Sequence, residues 1–397
     1  MKILHACPDY PPWALGGAPD TFRLLTEAWR SEGHEVVVTS SVPARLASVP
    51  PPSSPPRVER YELVDLPPPF REAAYFAPLH RSARRRLLRF VREEADGFDL
   101  VVAHGLLETL PRVLLGHRRN FRRAPLVSLQ YGFSTGEVNP FLRSVSRALY
   151  ATYGRRLASE LETVGFFSDA TVREWRALYG AVPRAGPVLL PFGIDTEALV
   201  EQVQAVTRDG PGVDRWLESR GIRRPFLLVL GRNDRAKGLD IALDAFRRVA
   251  VDRPSLSLVF AGDPSPLTAE LHRAARQWGL ETRVQFLGRV TAWERIALLF
   301  TSDVFLIPSR REGYGLNAVL ARVTSKTTVA TRTGAHDKIL DGDPRFIIVP
   351  PGSSAAFAEG LRRALQQARG PVTLDPDQLR RFDIRTLARR LSEFGAR

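Results

Sequence analysis

The chain has 397 residues, 44% of them hydrophobic and 25% charged, which is too long for one ordinary core and leads to an expectation of two domains. A net charge of +14 invites a nucleic-acid partner. Yet only Lys2, Lys237, Lys326 and Lys338 are lysines, and no helix-turn-helix, RNA-recognition or zinc-finger pattern occurs, so nucleic acid is set aside. The single cysteine, Cys7, excludes an intramolecular disulfide framework and a cysteine-based zinc site, and no apolar run approaches the roughly 20 residues that span a bilayer.

The opening "MKILHAC" is a short apolar run ending in the loop "PDYPPWALGGAPD", without the long apolar core of a signal peptide, so a cytoplasmic protein is expected. A helical pattern follows, with Phe22, Leu24, Leu25, Ala28 and Trp29 spaced for one buried face, and then "GHEVVVTSS", a β-branched run suited to a buried parallel strand. Strand, Gly-rich loop, helix and strand begin a doubly wound α/β domain. Residues 41–69, rich in Pro and Ser, read as a mobile loop. In "LHRSARRRLLRFVREEA" the residues Leu79, Ala83, Leu87, Phe90 and Val91 share a face surrounded by Arg84, Arg85, Arg86 and Arg89. Such a helix either packs its stripe inward or docks peripherally on the inner face of a membrane through Arg84–Arg89.

"DLVVAHG", "APLVSLQYG", "VGFF" and "VLLPFG" continue the strand series. The first domain is placed at 1–200, a polar linker at 201–222, and a second α/β domain at 223–380 with strands in "PFLLVLGR", "LSLVFAGD", "RVQFLG", "DVFLIPS", "TTVATRTG" and "RFIIVPPG". Residues 381–397 read as a C-terminal helix returning toward the first domain. Two Rossmann-like doubly wound parallel-sheet domains place a ligand crevice between them, at the carboxyl ends of the strands.

Three loops carry candidate chemistry. After the first strand of the second domain, "GRNDRAKG" puts Arg232 and Lys237 around a strand-to-helix turn, where two cations and backbone N–H groups suit a diphosphate. In "PSRREGYGLNAVLA", Glu312 can accept hydroxyl hydrogen bonds from a sugar, beside the exposed amides of Gly313 and Gly315. Gly16 and Gly17 open the first helix and allow close backbone approach to a ligand. No metal-ligand spacing is present along the chain.

These stretches, with "FDLVVAHG", "LPFGIDTEAL", "LVFAGD", "VQFLGRV" and "TTVATRTGA" in the same order, resemble the retaining glycosyltransferases of family 4, which have the GT-B fold. The resemblance covers nearly the whole chain. It implies a sugar-diphosphate donor in the second domain, a hydroxyl acceptor (small natural product, glycan or lipid-linked) mainly in the first, metal-independent hexosyl or related glycosyl transfer, and no cofactor. Carried over residue by residue, Arg232 and Lys237 match the diphosphate pair, and Glu312 matches the first acid of the E-x7-E motif. Tyr314, Gly315, Leu316 and Asn317 match the loop approaching the sugar and phosphate, Phe286 and Leu287 the nucleobase segment, and Gly16 and Gly17 the loop beneath the phosphates. His104 and Tyr131 are acceptor-side candidates.

There are departures. Leu320 replaces the second acid, which clamps the ribose; Tyr131–Gly132 stands where His-Gly is usual; Ser325–Thr327 replaces Gly-x-Pro; and Lys338, beside Asp337, falls where an acid is expected. Loss of the ribose clamp leaves three readings. The donor is a nucleotide sugar held differently, or it is a nucleoside-free sugar pyrophosphate as in phosphoribosyl transfer, or the chain is a non-catalytic sugar-binding partner.

Overall fold

Aliphatic and β-branched runs short enough for strands, each followed by an amphipathic segment, favour parallel sheets whose crossovers are helices. The computed structural model describes residues 1–13, 17–43, 46, 56–64, 77–106, 108–131, 148, 150–161, 163–180, 186–367 and 372–396. The chain forms two compact units, Met1–Ile194 with Phe382–Arg397, and Asp195–Arg381.

The first unit runs β1 (Lys2–Cys7), α1 (Gly17–Ser31), β2 (Glu35–Pro43), β3 (Arg57–Leu63), α2 (Arg81–Glu94), β4 (Leu100–His104), α3 (Thr109–Gly116), β5 (Leu126–Gln130), α4 (Arg155–Glu160), β6 (Thr163–Phe166), α5 (Asp169–Tyr179) and β7 (Pro187–Leu189). Its seven strands lie in the order β3-β2-β1-β4-β5-β6-β7, all parallel. In the second unit, α6 (Thr196–Arg208) and α7 (Gly210–Ser219) precede β8 (Phe226–Leu230), α8 (Leu239–Ala250), β9 (Ser257–Ala261), α9 (Pro266–Gln277) and β10 (Val284–Phe286). Then come α10 (Ala292–Thr301), β11 (Val304–Ile307), α11 (Leu316–Val323), β12 (Thr328–Thr331), α12 (His336–Leu340), β13 (Phe346–Val349), α13 (Ser354–Gln366) and α14 (Pro376–Arg381). Its six strands follow the order β10-β9-β8-β11-β12-β13, again all parallel. Strand order reverses between β1 and β4 in one sheet and between β8 and β11 in the other, the position where doubly wound sheets open a binding crevice.

Two expectations need correction. Residues 41–69 are not all loop: β2 extends to Pro43, and "RVERYEL" pairs with it as β3 from Val37↔Arg57 to Pro43↔Leu63. Only alternate residues of this edge strand, Tyr61 and Leu63, are buried, so its period-2 signal was diluted by charge. Positions 44–45, 47–55 and 65–69 lie outside the described residues. The segment 201–222 is not a polar connector either. Asp195 caps α6 by accepting from Ala198 N (2.9 Å), Asp209 caps α7 through Gly212 N (3.0 Å), and Leu199, Val203, Val206, Val213 and Leu217 are buried. Both helices pack within the second unit, where Trp216 donates to Glu294 Oε1 (3.1 Å) and meets Trp293 edge-on at 5.8 Å.

The basic helix α2 buries Ala83, Leu87, Phe90 and Val91 and leaves Arg84, Arg85 and Arg89 exposed, so its apolar stripe belongs to the core of the first unit. The last helix, α15 (Ile384–Gly395), packs in that unit too. It buries Ile384, Leu387, Ala388 and Leu391, and Trp29 Nε1 donates to Ala388 O at 3.1 Å.

Candidate active site at the strand ends of the second unit

The turn after β8 is built by its own polar groups. Asp234 caps a 3-10 turn at Arg235–Lys237 by accepting from Lys237 N (3.0 Å), and Gly238 then adopts φ 67°. A Cβ at Gly238 would lie 2.1 Å from Pro308 O, so the turn presses directly on the loop after β11. Arg310 N donates to Ala236 O (2.7 Å), and the Arg310 guanidinium forks onto both oxygens of Asp240 at 2.7 and 2.6 Å. Asn317 at the start of α11 reaches back to Leu230 O (2.7 Å). The two loops flanking the strand-order reversal are thereby held as one piece.

This piece carries Lys237 and Glu312. Lys237 Nζ lies 2.7 Å from Glu312 Oε1, and Ser309 Oγ donates to the same oxygen at 2.8 Å. The Glu312 side chain is 11% exposed and that of Lys237 26%, so the pair is sheltered while the ammonium still reaches solvent. Burial raises the Glu312 carboxyl, and the Lys237 charge more than reverses this, holding it below the usual carboxylate range. Arg232 is 74% exposed and pairs with Asp234 at 3.3 Å, so its guanidinium can turn to an incoming anion.

Beneath the Gly313–Gly315 loop lies His336, a residue that sequence reading missed. Gly315 has φ 114°, and a Cβ there would come within 2.4 Å of His336 Cδ2. The imidazole is fully buried, its Nδ1 paired with Thr331 O at 2.7 Å, and its Nε2 has no hydrogen-bond partner among the described residues. Burial lowers its pKa, keeping it neutral beside Lys237. The available signal was "TGAHDKIL", where attention fell on the neighbouring Asp337 and Lys338. Lys338 is exposed, and Asp337 pairs loosely with Arg332 at 3.8 Å.

The other expected residues divide. Gly313, Tyr314, Gly315, Leu316 and Asn317 lie in the joined loops, where Tyr314 O accepts from Ala335 N (2.9 Å). Leu320 is buried on α11 and offers no polar side-chain group. Phe286 is half-buried and stacks on Phe260 (4.8 Å, 10°), while Leu287 N donates to Phe260 O (2.9 Å), so core contacts fix this segment. In the first unit, Gly17 begins α1, whereas Gly16 and Gly132 lie outside the described residues. His104 is buried, facing His5, and Tyr131 stacks on it with ring centroids 5.3 Å apart.

Residues 15–198 match the family model described as Glycosyltransferase Family 4, and residues 224–367 the model described as Glycosyl transferases group 1. Glycogen synthase of Mycobacterium tuberculosis is 25% identical over 92% of this chain and 86% of its own length. D-inositol 3-phosphate glycosyltransferase of Corynebacterium jeikeium is 26% identical over 73% and 68%. Among solved structures, sucrose-phosphate synthase of Thermosynechococcus elongatus superposes with a TM-score of 0.73 at 18% identity, covering 99% of this chain and 98% of that one. HepE of Anabaena in complex with UDP and glucose gives 0.69 at 19% identity, with the same coverage. At these identities the structures establish the fold, two Rossmann-like parallel-sheet domains of the GT-B class.

Proposed function

The chain belongs to the family-4 glycosyltransferases, and on that premise we propose that it moves a sugar from a nucleoside-diphosphate donor to a hydroxyl acceptor with retention of anomeric configuration. Family membership makes it an enzyme of glycosyl transfer and sets the non-catalytic reading aside. The observation that carries the proposal is the joining of Lys237, Glu312 and the Gly-rich loop at the reversal of strand order, with Arg232 free to turn toward them.

In such a transfer the bond from the anomeric carbon to the diphosphate oxygen breaks while negative charge grows on the leaving group. In this reading Lys237 and Arg232 take up that charge in place of a bound metal. Lys237 is already paired with Glu312, which lowers the cost of sheltering it. Glu312 keeps a carboxylate oxygen for a sugar hydroxyl. The acceptor hydroxyl bonds to the anomeric carbon, and its proton passes to the departing phosphate.

A buried Leu320 favours a second reading, a sugar pyrophosphate without a nucleoside, because no carboxylate stands there for a ribose diol. A missing charge-assisted hydrogen bond costs about 1.5–3 kcal/mol. Thermal shifts with UDP-, GDP- and dTDP-sugars against phosphoribosyl pyrophosphate separate the two. Stabilisation by a nucleotide sugar supports the first reading, stabilisation by phosphoribosyl pyrophosphate alone supports the second, and no shift with any of them overturns both. HepE, whose structure holds UDP and glucose, makes UDP-glucose the first probe.

A further inference from the structure

The first unit carries a cluster of metal-type donors at its own reversal of strand order, between β1 and β4. His5 and Cys7 are two apart on β1 and so project from one face of the sheet. The register Ala6↔Ala103 sets His104 beside Cys7 on that same face. All three are buried, and one ligand atom from each lies within 4.8 Å of the others.

The surrounding groups orient this cluster. Thr26 Oγ1 on α1 donates to Phe22 O (2.9 Å), so it accepts from His5 Nδ1 (2.8 Å), which fixes the proton there and leaves His5 Nε2 with a lone pair. A hydroxyl or carbonyl holding the far nitrogen of an imidazole is the usual support of a metal-ligating histidine. His5 Nε2 faces His104 Nε2 at 2.5 Å, and only one proton can lie between them. His104 Nδ1 is then left buried without a partner among the described residues. The Tyr131 hydroxyl is a second buried polar group with no hydrogen-bond partner among them, and its ring stacks on His104 with centroids 5.3 Å apart.

We propose that His5, His104 and Cys7 form a binding site for a divalent transition metal of the zinc class, with the Tyr131 hydroxyl placed to ligate it or to hold a metal-bound water. Imidazole and thiolate donors select such ions over magnesium or calcium, which require oxygen ligands. Seating the ion parts the two imidazole nitrogens and draws the sulfur in, to the spacing of about 3.5 Å between ligands of a tetrahedral site. A thiolate ligand requires the ion to displace the Cys7 proton, so one proton leaves per ion bound. The ligand set was invisible along the chain, because sheet register, not residue spacing, brings it together.

The site does not depend on the donor reading, and its test needs no transfer assay. Untagged full-length protein is titrated with Co²⁺, and also refolded in its presence to remove any barrier to entry. We expect one Co²⁺ per chain, one proton released, and a thiolate-to-cobalt charge-transfer band. Cys7 is the only cysteine in the sequence, so in the wild-type protein that band reports this site alone. Zn²⁺ should abolish the band by displacement, and Cys7→Ser should lose it and weaken Co²⁺ binding at least tenfold. Absence of saturable Co²⁺ uptake by the wild-type protein, or uptake without the charge-transfer band, would overturn the proposal.

Discussion

Lys237 and Glu312 hold each other at 2.7 Å, and each is therefore the other's first control. In Lys237→Ala the sheltered carboxylate loses its counter-charge and the leaving diphosphate loses a cation. We expect a fall in kcat of about 10²–10³-fold, the loss typical of one transition-state electrostatic partner. Glu312→Gln keeps a hydrogen-bonding shape for the sugar but frees Lys237, so it should lower kcat less than Lys237→Ala and alter the preference among donor sugars. Equal losses in the two variants would contradict the separate roles. Lys326 offers a test of protonation. Burial pushes its amine from 10.5 to about 7 in the folded chain, and its Nζ donates to Ser302 O. Below about pH 7 both states carry the proton and the folded state bears the full burial penalty. Between about 7 and 10.5 only the unfolded chain holds it, so stability rises with pH across that window. Urea melts at the two ends should show the wild-type protein gaining on Lys326→Met; parallel curves would contradict the assignment.

At the scale of elements, the same segment explains a departure from the family pattern. Ser325 stands where glycine is usual and takes φ 52°, a left-handed conformation that costs a residue with a Cβ about 1–2 kcal/mol. Ser325→Gly should therefore be neutral or stabilising by about 1 kcal/mol, as read by chemical denaturation; clear destabilisation would show that the hydroxyl matters more than the backbone. The helix α15 makes a larger prediction. It buries three branched aliphatic side chains and caps the Trp29 indole, so ending the chain at Arg381 removes about 5 kcal/mol of apolar burial from the first unit. Loss of that unit's thermal transition, with Trp29 exposed to fluorescence quenchers, is the expected result. Sequence reading located this helix, α2 and most strands because their apolar periodicity is strong. It missed β3, where only Tyr61 and Leu63 are buried, and it missed α6 and α7, whose apolar residues are spread among charges. The loops that carry Arg232, Lys237 and Glu312 were legible from their places after strands, and the structure pairs Lys237 with Glu312. His336 and the His5–Cys7–His104 cluster were not, since both depend on which strand lies beside which.

Across the whole molecule, the charge of +14 rests almost entirely on arginine, and much of that arginine is committed to ion pairs. Arg57 with Glu94 and Arg86 with Glu62 tie β3 to α2, leaving Arg81, Arg84, Arg85, Arg89 and Arg92 as the exposed cations of that helix outside those pairs. No helix of the described residues is long and apolar enough to cross a membrane. Because the stripe of α2 is buried, any adsorption to anionic vesicles should be purely electrostatic: sedimentation with vesicles at low salt should be fully reversed at high salt. Adsorption that survives high salt would mean that apolar residues insert. The reversal of strand order between β8 and β11 brings together the loops that carry Arg232, Lys237 and Glu312, and the proposal is that these three bind a diphosphate-activated sugar. Calorimetric titration with UDP-, GDP- and dTDP-sugars and phosphoribosyl pyrophosphate, on the wild-type protein and on Lys237→Ala, decides it. Saturable one-to-one binding of one of these diphosphates by the wild-type protein, weakened at least tenfold in the variant, is the expected result; equal affinity in both proteins, or no binding of any of these compounds to the wild type, would overturn it.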